Sequence, residues 1–439
     1  MKIALVDPSF YHQGKLMKFK RVGYFPLTLP RLAAYFPKNC EINLYYDKVQ
    51  SVPVEKKFDL VFFTTMGSNI VRAFELSAAF QKNGAKTVVG GYSVPGYIEL
   101  CKQNFDSVVL GDGEEVIPRI IEDFLLNRLE KFYENRVPSI SSLPMPRFDL
   151  VPSEVPGNVI PVEASRGCPN KCFFCAISNL YRRVYRQRDV DEVFRELNEA
   201  VRVFGRRRLY YFTDPNFTTD INYAGKILTK MVGMNISWLA SADVKCLEDD
   251  EFLKLAKKSG CFNLQIGFET LSEKELNQFD KGFAAKYDYG KLIRKAHSFG
   301  VPISALLMVG FDSDTPSTFL RLKHFLEINK VPLAVTHPLG PIPGTPLHDK
   351  WKTEGRLLST EPEKFDGLQI CFKPKNFTPD ELSENYWRFN ERLFSTASIF
   401  RRFLSPHVFR NFRAFFILFL TNFFARQVVS KRLPPGMYE

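Results

Sequence analysis

The sequence predicts an α/β protein in three parts, and three observations support this. Short apolar runs alternate with amphipathic stretches over residues 1–135 and again over 158–345. Five prolines, at 138, 144, 146, 152 and 156, interrupt the alternation between them. Beyond about residue 346 the pattern becomes helical. Alternation of this kind marks βα units, because parallel strands need a crossover helix between them. The expected division is a doubly wound parallel-sheet domain at 1–135, a proline-rich linker at 136–157, a barrel or partial barrel at 158–345 and a helical domain at 346–439.

In the first part the strand-like runs are Ile3–Val6, Ile42–Tyr46, Leu60–Phe63, Thr87–Val89 and Ser107–Leu110, with helical stretches at Asn69–Lys82 and Glu115–Leu126. Proline fixes φ and removes a backbone donor, so the linker is expected to be irregular. In the second part the runs are Val159–Ala164, Leu209–Phe212, Trp238–Ala242, Phe262–Phe268, Ile303–Val309 and Leu333–Thr336. Between the first two, Val193, Leu197, Ala200, Val201 and Phe204 mark one face of a helix at Asp191–Phe204. Six such units place the chemistry at the C-terminal ends of the strands. In the third part Thr378-Pro379-Asp380-Glu381 reads as a capping box with proline at the first helical position, opening a long Phe- and Arg-rich helix.

The formal net charge is +12, with basic clusters at Arg206–Arg208, Arg182–Arg188 and Arg401–Lys431. Such an excess suits an anionic partner or a solvated surface equally. No stacking-aromatic nucleic-acid motif accompanies it, so nucleic acid is not the expected partner. The eight cysteines do not form a disulfide framework, and MKIALVDPSF enters a strand with no signal-peptide pattern. The expected location is the reducing cytoplasm.

Three cysteines stand together in Arg166-Gly167-Cys168-Pro169-Asn170-Lys171-Cys172-Phe173-Phe174-Cys175. This C-x3-C-x2-C spacing puts Cys168, Cys172 and Cys175 on one loop after the first strand of the second series. Zinc favours paired C-x2-C units with a second pair or histidines downstream, and neither is visible. A cubane iron–sulfur cluster usually takes four thiolates, so three leave one iron open for another ligand.

This motif, in this position, resembles the radical S-adenosylmethionine (radical SAM) superfamily over roughly residues 158–345. The resemblance implies a partial barrel and a 4Fe-4S cluster whose open iron is chelated by SAM. It also implies reductive cleavage of SAM to a 5′-deoxyadenosyl radical and a reducing electron donor. By similarity, Phe174 borders the adenine, and Asp214 and Asn216 lie where the methionyl amino group is met. Ser241 and Glu269 lie where ribose and carboxylate are held, and Gly310 allows close approach near the adenine.

The strand-end loops of the first part carry Asp7-Pro8, Asp47-Lys48, Thr64-Thr65, Gly90-Gly91 and Gly111-Asp112-Gly113-Glu114. No G-x-G-x-x-G follows the first strand, which disfavours a dinucleotide site. The order resembles the flavodoxin-like cobalamin-binding domain of one radical SAM subgroup, particularly the branch of hopanoid methylases and the bacteriochlorophyll-pathway cyclase. It implies cobalamin contacts by Asp7, Pro8, Asp47, Thr64, Thr65, Gly90, Gly91, Asp112 and Glu114. Where the subgroup's D-x-H-x-x-G places histidine on cobalt, this chain has Asp47-Lys48-Val49 and no histidine.

The function expected from this resemblance is a cobalamin-dependent radical SAM enzyme that methylates an unactivated carbon of a lipid-like or ring substrate. The alternative is a radical cyclisation or rearrangement without methyl transfer. A methylthiotransferase ranks lower, since only Cys40 and Cys101 lie in the first part, and a non-enzymatic nucleic-acid binder lower still. His337 and His348 are expected near the mouth, with structural roles favoured. The last helices carry Phe400, Phe403, Phe409, Phe412, Phe415, Phe416, Phe419, Phe423 and Phe424, which suit either a barrel cap or a peripheral contact at the inner membrane face. Ala414–Ala425, the most apolar stretch, is read as too short to cross a bilayer.

Overall fold

The computed structural model describes residues 1–21, 23–135 and 137–433, and the Phe409 side chain lies outside the described residues. Strands β1 (Lys2–Asp7), β2 (Glu41–Tyr46), β3 (Leu60–Thr65), β4 (Lys86–Gly91), β5 (Ser107–Gly111) and β6 (Phe132–Asn135) form one parallel sheet in the order 2-1-3-4-5-6. Both faces are buried, which explains the continuous apolar runs. On one face Ala4, Val6, Val61 and Phe63 meet Ile70, Leu76 and Phe80 of the Ile70–Lys82 helix. On the other, Ile3, Leu5, Phe62 and Val88 join Ile117, Ile120 and Ile121. The sixth strand is new relative to the sequence reading. Its Phe-Tyr-Glu-Asn is short and half polar, and it is recruited by pairing with β5.

The second sheet contains β7 (Val159–Val162), β8 (Leu209–Phe212), β9 (Ser237–Ala242), β10 (Cys261–Glu269), β11 (Ile303–Val309) and β12 (Leu333–Pro338). They pair in sequence order and all in parallel, and among the described residues no ladder joins β7 to β12. This is a partial barrel. One apolar core runs continuously through both sheets, from Val109 and Tyr133 to Ile160, Val162 and Tyr210.

The proline-rich segment is irregular, yet it is packed rather than loose. Ile140, Leu143, Phe148 and Val155 are buried. Arginines serve its carbonyls: Arg186 donates to Pro138 O at 2.7 Å and Arg31 to Pro144 O at 2.7 Å.

The C-terminal region departs from the single long helix expected. Helices span Pro379–Leu393, Thr396–Phe403 and Phe412–Val429, because Ser395 caps a new helix and Ser405-Pro406 opens a 3-10 turn. The capping box at Thr378 and Glu381 forms as expected, with its proline at the first position. Phe412–Val429 has 18 residues and, by length and composition, is long and apolar enough to cross a membrane. The twelve-residue stretch read from sequence was therefore too short, since Phe412, Arg413 and Arg426–Val429 continue the same helix.

These helices seal the N-terminal ends of the barrel strands. Arg402 donates to Val331 O and Pro332 O, and Asn422 donates to Pro332 O, all just before β12. Asn411 donates to Cys261 O and Gly300 O at the starts of β10 and β11. The segment before the helices returns to the short hairpin that follows β1, where Asp366 lies 3.1 Å from His12 Nδ1.

Candidate active site

The C-terminal strand ends of the two sheets face each other across a cavity of about 390 Å3. Asp7, Thr64, Thr65, Gly90, Gly91 and Glu114 line it from the first sheet, and Arg166, Gly167, Asp214 and Ser241 line it from the second. The cysteine loop follows directly. Gly167 has φ +79°, and a Cβ there would lie 2.0 Å from Val184 O. Only glycine lets the chain pass under the Tyr181–Val184 turn and present Cys168. Cys175 then starts the Ala176–Leu180 helix, with its N–H donating to Cys172 O at 3.0 Å. Phe173 N–H donates to Phe279 O at 3.1 Å, while the Phe173 carbonyl accepts from Leu347 N–H at 3.2 Å. Phe174, set by this loop, leans on Phe279.

Burial raises the thiols of Cys168 and Cys172, the latter to about 12, while Lys281 pulls both down. Such thiols ionise when a cation accepts them, so the donor set suits a metal centre. Among the described residues no three His, Cys, Asp or Glu groups could hold a single metal ion. A cubane makes no such demand, because each thiolate binds its own iron.

Asp214 accepts from Ala164 N at 3.1 Å and from Ser165 Oγ, and burial lifts its pKa to about 7. Ser241 Oγ lies 3.3 Å from Gln265 Oε1. Asn216 sits off the cavity wall, its Oδ1 closing a turn on Thr218. Glu269 ends β10 at φ +61°, just past a register shift, and pairs with Lys281. Lys281 also donates to Gly267 O at 2.7 Å. At Gly310 a Cβ would lie 2.9 Å from Leu382 and 3.0 Å from Phe372, so C-terminal side chains fill the space that the glycine leaves. His337 lies on β12, and His348 lies on the Pro346–Thr353 helix, 3.2 Å from Asp349.

Three of the first-sheet residues point elsewhere. Pro8 is not on the cavity wall. The Asp47 carboxylate is fully buried, held by Lys18 at 2.6 Å, Arg72 at 3.0 Å and Ser9 N at 3.1 Å. Lys48, beside it, does reach the cavity and approaches Asp7 at 3.5 Å. Asp112 is bound to Arg186 at 2.8 Å and Arg166 at 3.3 Å, and accepts from Tyr181 Oη at 3.0 Å.

These contacts belong to a buried ionic ladder that sequence reasoning missed. Arg166 also holds Glu114 at 2.5 Å and Glu163 at 2.7 Å. Glu196 accepts from Arg31 at 2.6 Å and Arg188 at 2.7 Å. Burial alone would raise Glu163, but Arg166, Arg31 and Arg188 bring it down to about 2. The basic cluster at 182–188 is thus partly internal: Arg186 and Arg188 neutralise buried carboxylates instead of awaiting an external anion. The available signal was Arg166, one residue before the glycine of the cysteine loop.

The radical SAM superfamily model matches residues 162–326, which carry the cysteine loop and most of the second sheet. This stretch of the chain is a radical SAM domain. A domain of this family implies a 4Fe-4S cluster and SAM as its cofactors. The chain is 24% identical to the bacteriochlorophyllide d C-12(1)-methyltransferase of Chlorobaculum tepidum, over its whole length and 95% of that protein. It is 24% identical to the hopanoid C-2 methylase of Rhodopseudomonas palustris, over 80% of this chain and 68% of that one. Among solved structures, the radical SAM methyltransferase TsrM of Kitasatospora setae, with cobalamin and a [4Fe-4S] cluster bound, superposes with a TM-score of 0.66 at 16% identity. The match covers 88% of this chain and 85% of TsrM. That likeness is one of fold.

Proposed function

We propose that this radical SAM enzyme is a cobalamin-dependent C-methyltransferase acting on an unactivated carbon of a ring or lipid-like small molecule. One observation carries the reading: the glycine-rich strand ends of a flavodoxin-like sheet and the Arg166-Gly167 step leading into the cysteine loop of a partial barrel line one cavity, with the three cysteines just beyond its wall. The methyltransferase and methylase names of these relatives support it.

The residues fit both groups. Cys168, Cys172 and Cys175 would hold the cluster, leaving one iron for SAM. Thr64, Thr65, Gly90, Gly91, Gly111 and Gly113 leave room along the first sheet for a broad planar ligand, with apolar Phe62, Val88 and Val109 beside them. No histidine stands at the Asp47–Val49 loop, so that loop would offer cobalamin no imidazole. When bound, the cluster supplies one-electron cleavage of SAM and cobalamin supplies a methyl carrier. The chain's own residues position and shield. Lys281 keeps a cation beside the thiols and fixes Glu269, while Asp214 and Ser241 offer polar atoms at the cavity wall. Arg166 ties the cysteine loop to the first sheet through Glu114 and Asp112, holding the two cofactor sites in register. We read residues 1–135 as the cobalamin part and 158–345 as the radical SAM part. The exposed apolar side of Phe412–Val429 would make the enzyme peripheral to a membrane.

Anaerobic reconstitution with SAM and cobalamin, with separate assays for 5′-deoxyadenosine and S-adenosylhomocysteine, tests the function. Both products are expected. 5′-Deoxyadenosine alone would mean radical chemistry without methyl transfer.

A further inference from the structure

A second cavity, of about 280 Å3, opens at the base of the barrel and is lined by Ser237, Lys257, Lys258, Asn411 and Arg413, among others. It sits at the starts of β9 and β10. The nine-residue strand β10 separates it from the active-site cavity by about 30 Å. Lys257, Lys258 and Arg413 make no ion pair with a carboxylate among the described residues. Three cations around one hollow repel one another unless an anion joins them. Asn411 donates its Nδ2 to Cys261 O and Gly300 O, which fixes this residue at the rim of the hollow.

Arg413 belongs to the first turn of the Phe412–Val429 helix, so the hollow adjoins that helix's outer face. Ala414, Phe415, Leu418, Asn422, Ala425 and Val429 are buried against the protein. On the other side Phe412, Phe416, Ile417, Leu420 and Phe424 are exposed, with Phe412 and Phe424 each 57% accessible. Phe412 and Phe416 stack at 5.7 Å. The helix is pinned flat on the barrel base, because Asn422 donates to Pro332 O and accepts from Arg402 at 2.6 Å. An aromatic face beside unpaired cations matches the boundary of an anionic bilayer, where rings take the acyl edge and cations take phosphates.

We propose that the barrel base is a docking surface for an anionic phospholipid membrane. A headgroup phosphate would sit between Lys257, Lys258 and Arg413, and Phe412, Phe416 and Phe424 would enter the acyl boundary. This deepens the peripheral-membrane reading and rests on it. It also orients the enzyme: the active-site cavity faces away from the bilayer, so substrate arrives at the far end.

The test is flotation of the full-length, anaerobically purified protein with two vesicle types, phosphatidylcholine alone and phosphatidylcholine with phosphatidylglycerol in equal parts. The wild type should prefer the anionic vesicles, and salt should weaken its binding. Lys257→Gln, Lys258→Gln and Arg413→Gln together should lower partitioning onto anionic vesicles on the order of 100-fold. The double variant Phe416→Ser with Phe424→Ser should bind neither vesicle type. Iron content and circular dichroism of each variant check that it folds. Unchanged binding by the triple variant, with loss in the phenylalanine variant, would remove the headgroup site and leave the peripheral reading standing. Failure of the wild type to bind either vesicle would sink both. Loss of a dimer in the phenylalanine variant, without vesicle binding by the wild type, would reassign the face to a second copy of this chain.

Discussion

At the C-terminal ends of β7–β9 the chain buries charge, with Arg166 serving Glu163, Glu114 and Asp112 and with Asp214 kept at a pKa of about 7. At the N-terminal ends of β10–β12 it buries rings, aliphatics and two isolated bases, His297 and Arg402. Burial lowers these to about 3 and about 10. One end stores polar groups that must be satisfied in pairs, whereas the other closes the core and turns its spare surface outward. The barrel thus holds its two cavities apart by the length of its strands.

The largest effect expected from breaking this contrast is on the cluster. Cys168→Ala, Cys172→Ala or Cys175→Ala should each abolish 5′-deoxyadenosine formation and lower the iron bound after reconstitution. Cys261→Ser, at the barrel base, should leave both in place. Cys261 proving as necessary as Cys172 would overturn the three-thiolate centre.

Next come the two buried arginines. Arg166→Met removes a cation shared by three buried carboxylates and leaves Glu114 without an ion pair, and should cost about 3–5 kcal/mol in denaturant unfolding. Arg402→Met removes donors from carbonyls but relieves a buried charge, and should cost about 1–3 kcal/mol. Equal losses would erase the distinction between the ends.

Stability should also depend on pH with opposite signs at the two ends. Asp214 has its folded pKa raised, so its contribution is present below about 3.8 and lost as pH rises toward about 7. His297 has its pKa lowered, so its contribution is present above about 6.5 and lost as pH falls toward about 3. Thermal unfolding of Asp214→Asn should show a weaker fall in Tm from about pH 4 to 7. His297→Gln should show a weaker loss on acidification. Parallel profiles for wild type and both variants would show that other groups govern the pH response.

The smallest pair concerns glycines. Gly167→Ala meets Val184 O and a positive φ together, so it should impair cluster retention as well as stability. Gly355→Ala has only the strained φ of +65° and open space, and should cost about 1 kcal/mol with iron content unchanged.

Most of the fold was legible because strands buried on both faces read as unbroken apolar runs, from Ile3–Val6 to Ile303–Val309. Strand ends were legible as candidate sites because parallel topology puts loops there, and Asp7, Thr64, Thr65, Gly90, Gly91, Glu114, Asp214 and Ser241 do meet at one cavity. What escaped was partnership. Nothing local marks Arg186 as internal while Arg182 beside it is exposed, since that depends on Asp112 arriving from another sheet. β6 escaped because its pairing with β5 outweighs its weak local pattern. The helix break at Ser405-Pro406 was hidden inside a phenylalanine-rich run.

The single apolar core joining the two sheets has a consequence for how the chain is made. The outer face of the first sheet finds its helices within the first 105 residues and can close early. Its inner face closes only in part, over Ile117, Ile120 and Ile121. Phe25 waits for Phe204, 5.7 Å away, and Arg31 waits for Glu196. At a synthesis rate of roughly 5–20 residues per second, the stretch from residue 135 to 204 leaves the part of that face around Phe25 uncovered for several seconds on the ribosome. During that interval part of an apolar layer and the Arg31 side chain stand open to the cell. A fragment ending at residue 135 would hold that exposure permanently, so chaperone demand and aggregation belong to the nascent chain rather than to the finished enzyme.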